Sequence, residues 1–461
     1  MECLFQHILL RLLRILQLVA HLFPIYRISF CFCHLHSSKP PSNSIFFIFL
    51  IIKFYNILIS MSWKKMDANC IIARFGEIGI KGKITRGRMQ SILAKNIENA
   101  LKSNGFERSI VRVIPGRVLV TTPEDPRKEA ELISRVFGVT SSSPALMGEY
   151  RDLDDLVDKV SEASIEDVRG KVFMVRGRRA DENRFTSKDI ERRIGAKLQE
   201  MGAGKVNLES PEISIYVEAR KGLFFVYKDI INGVGGLPLG SELKILSLVS
   251  GGFDSPVAAW MLMKRGSPVD ILFFNIGGKE HKEYFLDVAK KLICGWSYGP
   301  NQNVYIVEHR WIFPYLFNYF PEGYRTVALK VSMYVGAEAL AKSLGIKAIS
   351  TGENLAQVSS QTVHNLAVTE SFIDIPVFRP LIGFDKEEII ELSKKVGTYE
   401  VSSRVPEFCA IASSKASTAV DGKKLETFFE KYLPLNEIKQ NVLDNVKKIE
   451  KKDLCSSGPV A

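Results

Sequence analysis

The sequence predicts an α/β protein whose larger half is a doubly wound parallel sheet, preceded by two smaller α+β units. From residue 243 to about 398, short apolar runs alternate with helix-like segments, a pattern typical of parallel strands joined by crossover helices. Between residues 70 and 230, single helices and hairpin turns separate the strands, which indicates α+β units. A chain of 461 residues, 46% hydrophobic and 25% charged, has room for two to four such domains.

Composition and pattern divide the chain into segments. These are an apolar extension at 1–60, an N-terminal α+β unit at 61–125, a second α+β unit at 126–230, a linker at 231–242, the α/β domain at 243–430, and a C-terminal helix and tail at 431–461. Basic residues interrupt both apolar stretches of the extension, so neither gives a clean run of about 20 apolar residues. We expect a misassigned start, with translation from Met61 or Met66. A membrane anchor is the alternative, and no membrane contact is expected for 61–461.

Charge and cysteine usage narrow the class of protein. The net charge of +11 and the pI near 9.1 favour a polyanionic partner, either nucleic acid or a membrane surface. The seven cysteines are scattered and form no Cys-x-x-Cys pair, which predicts reduced thiols and a cytoplasmic protein. Since a metal cluster needs several convergent cysteines, none is expected.

The first α+β unit contains an unusually basic connection. Its predicted elements are a strand at 71–75, a helix from about 88 to 103, a hairpin at 111–114 and 118–121 turning at Pro115-Gly116, and a helix at about 126–137. The connection from 76 to 88 holds four glycines and four basic residues, Lys81, Lys83, Arg86 and Arg88. These side chains either contact phosphates or belong to a solvated loop, and composition does not decide between the two.

The second unit carries another basic group. A helix near 153–164 leads to a strand at 172–178, a basic loop and a helix with Ile190, Ile194 and Leu198 on one face, followed by strands at 213–218 and 223–228. The basic residues at the strand end and on the helix are Arg178, Arg179, Arg184, Lys188 and Arg192. We expect them to face an RNA backbone, with a solvated helix face as the alternative.

The α/β domain predicts a ligand site at one edge of its sheet. Strands at 245–249, 269–275, 304–307 and 348–350 alternate with helices, and the last predicted helix, at 385–396, has a capping box and a glycine stop. In such sheets ligands bind at the carboxyl ends of the strands. This places 250–255, 274–278 and 351–361 along one rim. The glycine-rich stretch 232–240 lacks the strand and helix of a dinucleotide loop and indicates a tight connection between domains.

Residues 246–260 form the expected phosphate site. A short apolar run leads to Ser250, Gly251, Gly252 and a helix whose first residues include Asp254, Ser255 and Pro256. Backbone N–H groups at such a turn and helix start favour a pyrophosphate, and we expect Asp254 or Ser255 to cap the helix. The stretch lacks the motifs of a Walker A loop and of a dinucleotide-binding loop. Because Asp254 would repel phosphate unless Mg²⁺ bridges the two, the stretch predicts cleavage of ATP between its α and β phosphates.

Other rim residues allow two interpretations. Phe273 and Phe274 can cover an adenine or belong to the core. Lys330 can meet phosphate or extend its stem along an apolar helix face. Gly352 would let the backbone approach a nucleotide, and Gln357 or Gln361 could read its polar edges.

The loop from Ser250 to Trp260 resembles the PP-loop of ATP pyrophosphatases. Together with 75–82, 233–240, 351–362, 379–386 and 405–409, it is similar to the ThiI family of tRNA 4-thiouridine synthases, which are also linked to thiamine thiazole formation. The match runs over roughly 68–425 and implies an N-terminal ferredoxin-like domain, a tRNA-binding THUMP domain and a PP-loop domain. By motif, the resemblance implies ATP contacts from Leu248, Val249, Phe273, Phe274, Lys330, Gly352 and Gln361, with Asp254 assisting adenylation.

The resemblance implies that ATP and Mg²⁺ activate uridine O4 of tRNA as an adenylate, which sulfur then displaces with loss of AMP. Many members carry a C-terminal rhodanese domain whose cysteine forms a disulfide with the cysteine matching Cys409. We expect no such domain here, so a separate donor, free sulfide or a persulfide on Cys409 would supply the sulfur. A homodimer is an open possibility. The alternatives are a PP-loop adenylating enzyme with another RNA or small-molecule substrate, and a non-catalytic tRNA-binding protein.

Overall fold

The first sheet spans both α+β units. The structure, a computed structural model, describes residues 68–180, 185–405 and 416–456. Seven strands form one path in the order β2-β3-β1-β4-β7-β6-β5, with β8 paired to β4. The strands are β1 (Cys70–Phe75), β2 (Ile110–Ile114), β3 (Arg117–Thr121), β4 (Val139–Glu149), β5 (Phe173–Arg179), β6 (Ile213–Arg220), β7 (Leu223–Tyr227) and β8 (Ile231–Asn232).

Strand β4 joins the two units into one sheet. Its first half pairs with β1, where Phe75 lies opposite Val139, and its second half pairs with β7, where Leu223 lies opposite Glu149. The sequence analysis missed this strand. Its first half, from Thr140 to Pro144, is rich in serine and lacks the apolar and β-branched residues that mark a strand. Pairing on both sides stabilises the strand despite this weak local preference.

Four helices pack on the first sheet. They are α1 (Lys83–Ser103), α2 (Pro126–Ser134), α3 (Leu153–Val168) and α4 (Ser187–Glu200). Helix α1 begins at Lys83 rather than near residue 88, so part of the connection that was predicted to be a loop is helical. The core-facing residues of α4 are buried as predicted, at Ile190, Ile194 and Leu198. A capping box between Thr186 and Asp189 fixes the start of this helix.

A buried ionic cluster lies on the first sheet. The carboxylate of Glu218 accepts hydrogen bonds from Arg117 at 3.1 Å and from Arg220 at 2.8 Å, and Arg74 lies 3.9 Å away. Burial alone would raise the pKa of Glu218, but the adjacent guanidinium groups of Arg117 and Arg220 lower it. Since Arg74 and Arg117 belong to the first unit and Glu218 to the second, these ion pairs connect the two units.

The second sheet is the predicted doubly wound sheet. Its strands run in the order β13-β12-β9-β10-β11-β14, parallel from β13 to β11 and antiparallel at β14. They are β9 (Ile245–Leu248), β10 (Val269–Asn275), β11 (Asn303–Glu308), β12 (Ile349–Ser350), β13 (Val377–Phe378) and β14 (Lys447–Glu450). After β11 the chain returns to the other side of β9. The topological switch point therefore lies between β9 and β12, where open α/β sheets bind ligands.

The helices of this domain follow the predicted alternation. They are α5 (Asp254–Lys264), α6 (Lys279–Trp296), α7 (Phe313–Tyr319), α8 (Arg325–Ser343), α9 (Val363–Glu370), α10 (Lys386–Val396), α11 (Tyr399–Ser402), α12 (Gly422–Tyr432), α13 (Leu435–Asn445) and α14 (Lys451–Leu454). Helix α10 has the predicted capping box between Asp385 and Glu388 and ends at Gly397 with φ of 85°. No helix in the described ranges has the length and apolar character needed to cross a membrane.

The C-terminal segment differs from expectation in two ways. The lysine-rich stretch expected to be a tail forms strand β14, which pairs with β11 and places Ile449 against the core. Cys294 on α6 and Cys455 after α14 form a disulfide, with their Cα atoms 5.7 Å apart. The prediction of reduced thiols is therefore wrong for this pair. The two cysteines are 161 residues apart in the chain, so no spacing motif revealed the pairing.

The linker packs closely against the α/β domain. A Cβ atom on Gly236 would lie 2.1 Å from the Lys264 carbonyl oxygen, and the Leu237 N–H donates to that carbonyl at 2.9 Å. Next to it, Arg265 forms hydrogen bonds of 2.7 and 3.0 Å with the Glu77 carboxylate of the first unit. Helix α5 thus contacts the first unit at one end. The helix starts at the phosphate loop. Its eleven residues, at 1.5 Å each, give it a length of about 16 Å.

Candidate nucleotide site and basic surfaces

The phosphate loop is closed by its two serines. After β9 the chain turns through Ser250, Gly251 and Gly252. The Ser250 N–H donates to the Ser255 hydroxyl at 2.8 Å, and the two hydroxyl oxygens lie 3.1 Å apart. A Cβ on Gly251 would lie 3.0 Å from the Val405 side chain, so glycine permits this close packing. The two hydroxyl groups therefore help to shape the turn.

Helix α5 begins at Asp254 without a side-chain cap. The preceding residue is Phe253, and no side chain of the described residues caps the helix. The prediction that Asp254 or Ser255 caps the helix is wrong, because both lie within the first turn and their side chains have other partners. Backbone N–H groups at an uncapped helix start carry partial positive charge and lack intrahelical acceptors. This arrangement fits a phosphate group.

Asp254 has two polar partners across the rim. Its carboxylate accepts hydrogen bonds from Lys386 at 2.8 Å and from Gln357 at 3.2 Å. Lys386 is the first residue of α10 and is 132 positions away in the chain. The sequence analysis included Lys386 in a motif but gave it no role, since only the fold brings α10 to the loop. The rim therefore places an ammonium group directly beside the predicted catalytic carboxylate.

The segment after β12 forms the second wall. A Cβ on Gly352 would lie 2.5 Å from the backbone nitrogen of Ser255, so only glycine fits without displacing the start of α5. The Gln361 side chain accepts a hydrogen bond from the Asn354 N–H at 3.1 Å, and its carbonyl accepts one from the Ala356 N–H at 3.0 Å. Ala356 has φ of 60°, which is uncommon for a residue other than glycine. Gln361 thus holds this loop in place.

Lys330 belongs to a buried ionic network. Its ammonium group donates to Glu353 at 2.9 Å, and Glu353 also accepts from Tyr334, from Thr351 at 3.1 Å and from Arg379 at 3.1 Å. Burial would raise the pKa of Glu353, but the charge of Lys330, the hydrogen bonds and Arg379 lower it to about 2. Glu353 is therefore ionised at neutral pH. The sequence analysis did not single out Glu353 or Tyr334.

The two phenylalanine rings at the end of β10 are part of the core. Phe273 stacks on Phe285 with ring centres 4.0 Å apart and touches the edge of His281. Phe274 contacts His309 edge-to-face at 4.9 Å. Burial lowers the pKa of His281 to about 4 and that of His309 to about 3. Because neither ring is free to cover a base, contact with a nucleotide at this position would fall to the backbone.

The other predicted ATP residues lie at the switch point. Leu248 and Val249 lead into the loop, and the Val249 N–H donates to Leu272 on the neighbouring strand. Within the described residues, no group of three or more His, Cys, Asp or Glu side chains could hold a metal ion.

The cysteines of the described residues do not lie at this rim. Cys70 is buried in the first sheet, and burial raises its pKa to about 12, so it is not a reactive thiolate. Cys294 and Cys455 are joined to each other. Cys409, the predicted sulfur-handling residue, lies outside the described residues, as does Arg184.

The predicted basic groups lie at opposite ends of the first sheet. Lys81, Lys83 and Arg86 follow the end of β1, where Phe75 pairs with Val139. Arg178 and Arg179 are the last two residues of β5. Arg179 pairs with Ala219 of β6, Ala219 pairs with Phe224 of β7, and Phe224 pairs with Gly148 of β4. From Val139 to Gly148 the strand extends about 30 Å at 3.3 Å per residue. The structure thus separates the basic residues into two groups.

We call these groups the near basic group, Lys81, Lys83 and Arg86, and the far basic group, Arg178, Arg179, Lys188 and Arg192. The near group adjoins Glu77, which is bound to Arg265 at the end of α5. All members of the far group are exposed. The near group is therefore the one attached to the domain with the phosphate loop.

Comparison with known protein families divides the chain into the two α+β units and the α/β domain. A family described as "Thiamine biosynthesis protein (ThiI)" matches residues 240–433, a ThiI ferredoxin-like domain matches 70–143, and a THUMP domain matches 150–229. A "Probable tRNA sulfurtransferase" of Aeropyrum pernix is 43% identical, covering 75% of this chain and 88% of that protein. Another, of Sulfurisphaera tokodaii, is also 43% identical and covers 82% of this chain and 99% of its own.

One solved structure shares this architecture over most of the present chain. The crystal structure of a 4-thiouridine synthetase–RNA complex with bound ATP matches with a TM-score of 0.73 and 27% identity, covering 83% of this chain and all of that one. A phosphate loop at the switch point of a doubly wound sheet, preceded by ferredoxin-like and THUMP domains, defines a PP-loop enzyme with an attached RNA-binding module. The extent of the matches then identifies the family. The chain belongs to the ThiI family of tRNA sulfurtransferases.

Proposed function

We propose that this protein is an ATP-dependent tRNA uridine 4-sulfurtransferase. The observation that carries the proposal is the rim at the switch point, where Asp254, Lys386 and Gln357 meet the uncapped start of α5. The 43% identity to tRNA sulfurtransferases over most of the chain supports the substrate class. A related structure that contains both RNA and ATP supports the two ligands.

The first step joins uridine to AMP. Uridine O4 attacks the α-phosphorus of ATP, an O–P bond forms, and the bond to the β-phosphate breaks to release pyrophosphate. The N-terminal N–H groups of α5 and the backbone of Ser250–Gly252 bind the phosphates, and Gly352 keeps the opposite wall close. Asp254 is the residue that would hold a Mg²⁺ ion, which would supply charge neutralisation for the leaving pyrophosphate. The ammonium group of Lys386 lies beside the Asp254 carboxylate on this rim.

The second step replaces oxygen by sulfur. A sulfur nucleophile attacks uridine C4, the C–O bond breaks, and AMP leaves with the original oxygen. Uridine loses its N3 proton when O4 is adenylated, and with hydrosulfide as nucleophile the S–H proton restores it. AMP takes the electron pair of the broken C–O bond, so no oxidant is required. When the donor is a persulfide, Cys409 is proposed to carry its outer sulfur, which attacks C4 as AMP leaves. A second thiol, supplied by the donor, then attacks the Cys409 sulfur and breaks the S–S bond, which leaves sulfur on uridine and Cys409 in a disulfide. Described cysteines offer no alternative at the rim, because Cys70 is buried and Cys294 is bonded to Cys455.

The first sheet is proposed to bind the tRNA. Its near and far basic groups lie about 30 Å apart along β4, so a single RNA that contacts both must extend along the sheet. Contacts of this kind attach the phosphate backbone and carry little sequence information. The near basic group would then hold the RNA beside the domain that carries the phosphate loop.

Nucleoside mass spectrometry tests the function directly. Unmodified tRNA is incubated with the protein, ATP, Mg²⁺ and sulfide, and the uridines that gain sulfur are identified. Asp254→Asn, which keeps the side-chain shape and an oxygen that can accept from Gln357 but removes the charge, should lower turnover by about 10²- to 10³-fold. Cys409→Ala should remain active with sulfide and lose activity with a persulfide donor. ATP cleavage to AMP without thiolation under either donor would contradict the substrate assignment.

A further inference from the structure

We propose that Glu353 is a positioning residue that directs the Lys330 ammonium group toward the phosphates of the bound nucleotide. This inference rests on the proposed function, since it takes ATP as the ligand of the rim and Lys330 as the ATP contact that the resemblance to the ThiI family implies. It extends that function because Glu353 itself would touch neither ATP nor tRNA. The argument comes from how the two carboxylate oxygens of Glu353 are used.

One oxygen of Glu353 is tied to the protein framework. Oε2 accepts hydrogen bonds from the Tyr334 hydroxyl, from Thr351 Oγ1 at 3.1 Å and from Arg379 Nε at 3.1 Å. These three donors come from helix α8, from the end of β12 and from the segment after β13. They fix the carboxylate from three directions. Glu353 is buried, with 6% of its surface exposed.

Among the described residues, one side chain donates to the other oxygen of Glu353. Oε1 accepts a hydrogen bond from Lys330 Nζ at 2.9 Å. Lys330 lies one helical turn before Tyr334, so both side chains project from the same face of α8. A lysine side chain has a long flexible stem, and a fixed carboxylate at its tip limits the positions that the ammonium group can adopt. Glu353 thus restricts the Lys330 ammonium group to a defined position.

The position of the network connects this orientation to the site. Gly352, next to Glu353 in the chain, packs against the first turn of α5, where a Cβ atom would come within 2.5 Å of Ser255. Lys330 keeps 17% of its side chain exposed, whereas Glu353 keeps 7%. Lys330 is therefore the more accessible of the two cations on Glu353, and its carboxylate partner adjoins Gly352, which packs against the first turn of α5.

The surrounding charges favour this division of roles. Arg379 also donates to Glu370 at 2.6 Å, and its Nη2 lies 3.5 Å from the Tyr334 hydroxyl. Lys330 and Arg379 are thus matched by Glu353 and Glu370. An added phosphate would compete for Lys330, the more exposed cation, and leave Arg379 in place. Arg379 keeps 12% of its side chain exposed and holds two carboxylates.

A double-mutant cycle on nucleotide affinity tests this inference. Glu353→Gln keeps the shape of the side chain and removes its charge. It should weaken binding of a non-hydrolysable ATP analogue about tenfold in the full-length protein, the effect of losing one charge-assisted contact. In a Lys330→Met background, the same substitution should change affinity by less than about twofold, because no ammonium group remains to be directed. An equal loss of affinity in both backgrounds would overturn the proposal, since it would indicate general damage to the fold.

Two further variants keep the test decisive. Thr351→Val removes one of the three donors to Oε2 and should give a smaller loss that also disappears with Lys330→Met. It replaces Glu353→Gln in the cycle if the latter does not fold. Glu338→Gln is the matched control, because Glu338 is a buried carboxylate on α8 that pairs with Lys342 at 2.9 Å and accepts from the Asp374 N–H at 2.7 Å. It has no contact with Lys330 or Glu353 among the described contacts. Its analogue affinity should match that of the wild type.

The readouts separate this inference from the proposed function. Analogue binding requires no tRNA and no sulfur, so it reports on Lys330 and Glu353 even if thiolation is not the reaction. If thiolation fails while the cycle shows coupling, the substrate assignment is wrong and Glu353 retains its role. If thiolation succeeds and the cycle shows no coupling, the role of Glu353 is wrong and the function stands.

Discussion

The rim of the nucleotide domain and the basic groups of the first sheet use charge in opposite ways. At the rim, cations are paired with carboxylates through direct contacts, as in Lys386 with Asp254 at 2.8 Å and Lys330 with Glu353 at 2.9 Å. In the far basic group, Lys188 and Arg192 are exposed at the surface. The rim therefore has defined geometry before a ligand binds, whereas the far basic group provides a field that attracts phosphates over a distance.

This difference predicts how each region responds to substitution. Chemistry at the rim depends on atoms held within a few tenths of an ångström, so small steric changes should have large effects. Binding through exposed cations depends on the number of charges near the RNA backbone, so single changes should have small and similar effects. Each region can be tested against that expectation.

The largest effect is expected at Gly352. Gly352→Ala would place a methyl group 2.5 Å from the backbone nitrogen of Ser255, which must displace either the loop or the start of α5. We expect the KM for ATP to rise by about 10²-fold, because a displacement of about 1 Å costs that much in a preorganised site. Steady-state kinetics at saturating tRNA gives this value.

Gly383→Ala is the matched control for this substitution. Gly383 follows Ile382, whose carbonyl accepts a hydrogen bond from the Leu355 N–H of the loop after Gly352, and a Cβ atom at Gly383 would meet no other atom within 4 Å. Its kinetics should match those of the wild type. If Gly352→Ala behaves like this control, then the close packing at the switch point does not shape the nucleotide site.

The position of this site could be predicted from the sequence, but its contacts could not. Alternating strands and helices, two glycines and a serine pair were sufficient to place the phosphate loop at the end of β9, since these features are local. The partners of Asp254 were hidden because Lys386 is 132 residues away and reaches the loop only through the fold. Local composition also predicted Asp254 or Ser255 as a helix cap, whereas tertiary contacts engage both side chains elsewhere.

The fold of the first sheet could be predicted in part. Regular alternation of apolar and polar residues predicted the strands that have one apolar face. The spacing of Ile190, Ile194 and Leu198 correctly predicted the buried face of α4. Strand β4 was missed because its serines carry no such pattern. The distance between the two basic groups follows from β4, so the sequence could name the basic residues but could not show that they lie at opposite ends.

The second prediction concerns acid stability, which should belong to the nucleotide domain. The pKa values of His281 and His309 are lowered by burial to about 4 and about 3, so both are neutral in the folded protein. As the pH falls below 6.5, the unfolded chain gains protons that the folded chain does not bind, and stability is lost. Each histidine should reduce the free energy of unfolding by about 2 kcal/mol between pH 7.5 and pH 5.

Urea unfolding at these two pH values measures this effect. His281→Gln and His309→Gln should each remove about half of the pH-dependent loss, whatever they do to stability at pH 7.5. Residues 68–230 contain no histidine, so the first sheet should not contribute in this pH range. A pH dependence that persists in the double variant would show that other groups control acid unfolding.

The third prediction concerns single charges in the far basic group. Lys188→Ala and Arg192→Ala each remove one exposed cation, and each should weaken tRNA binding by a few-fold at moderate salt. The slope of log affinity against log salt concentration should fall by about 1 for each substitution. Turnover at saturating tRNA should not change, because these residues are remote from the phosphate loop.

Lys424→Ala serves as the control for charge alone. Lys424 is an exposed lysine on α12 of the nucleotide domain, and its removal changes the net charge by the same amount. It should leave the salt slope unchanged. Equal effects of Lys424 and Lys188 would indicate that RNA responds to the total charge of the protein rather than to the far basic group.

The smallest expected effect is the coupling between the near and far basic groups. Lys83 and Lys188 lie at opposite ends of the first sheet, about 30 Å apart along β4, and have no partner in common among the described contacts. Their effects on the free energy of tRNA binding should therefore add within about 0.5 kcal/mol in a double-mutant cycle. At the rim, Asp254→Asn and Lys386→Met should instead show a coupling of about 1–3 kcal/mol in kcat/KM, because the two side chains are in contact. Coupling above about 1 kcal/mol between Lys83 and Lys188 would require the RNA, or the sheet itself, to respond as a unit when either end is lost. The simple contrast between a preorganised rim and independent surface charges would then be wrong, and the first sheet would have to be treated as a second site with its own geometry.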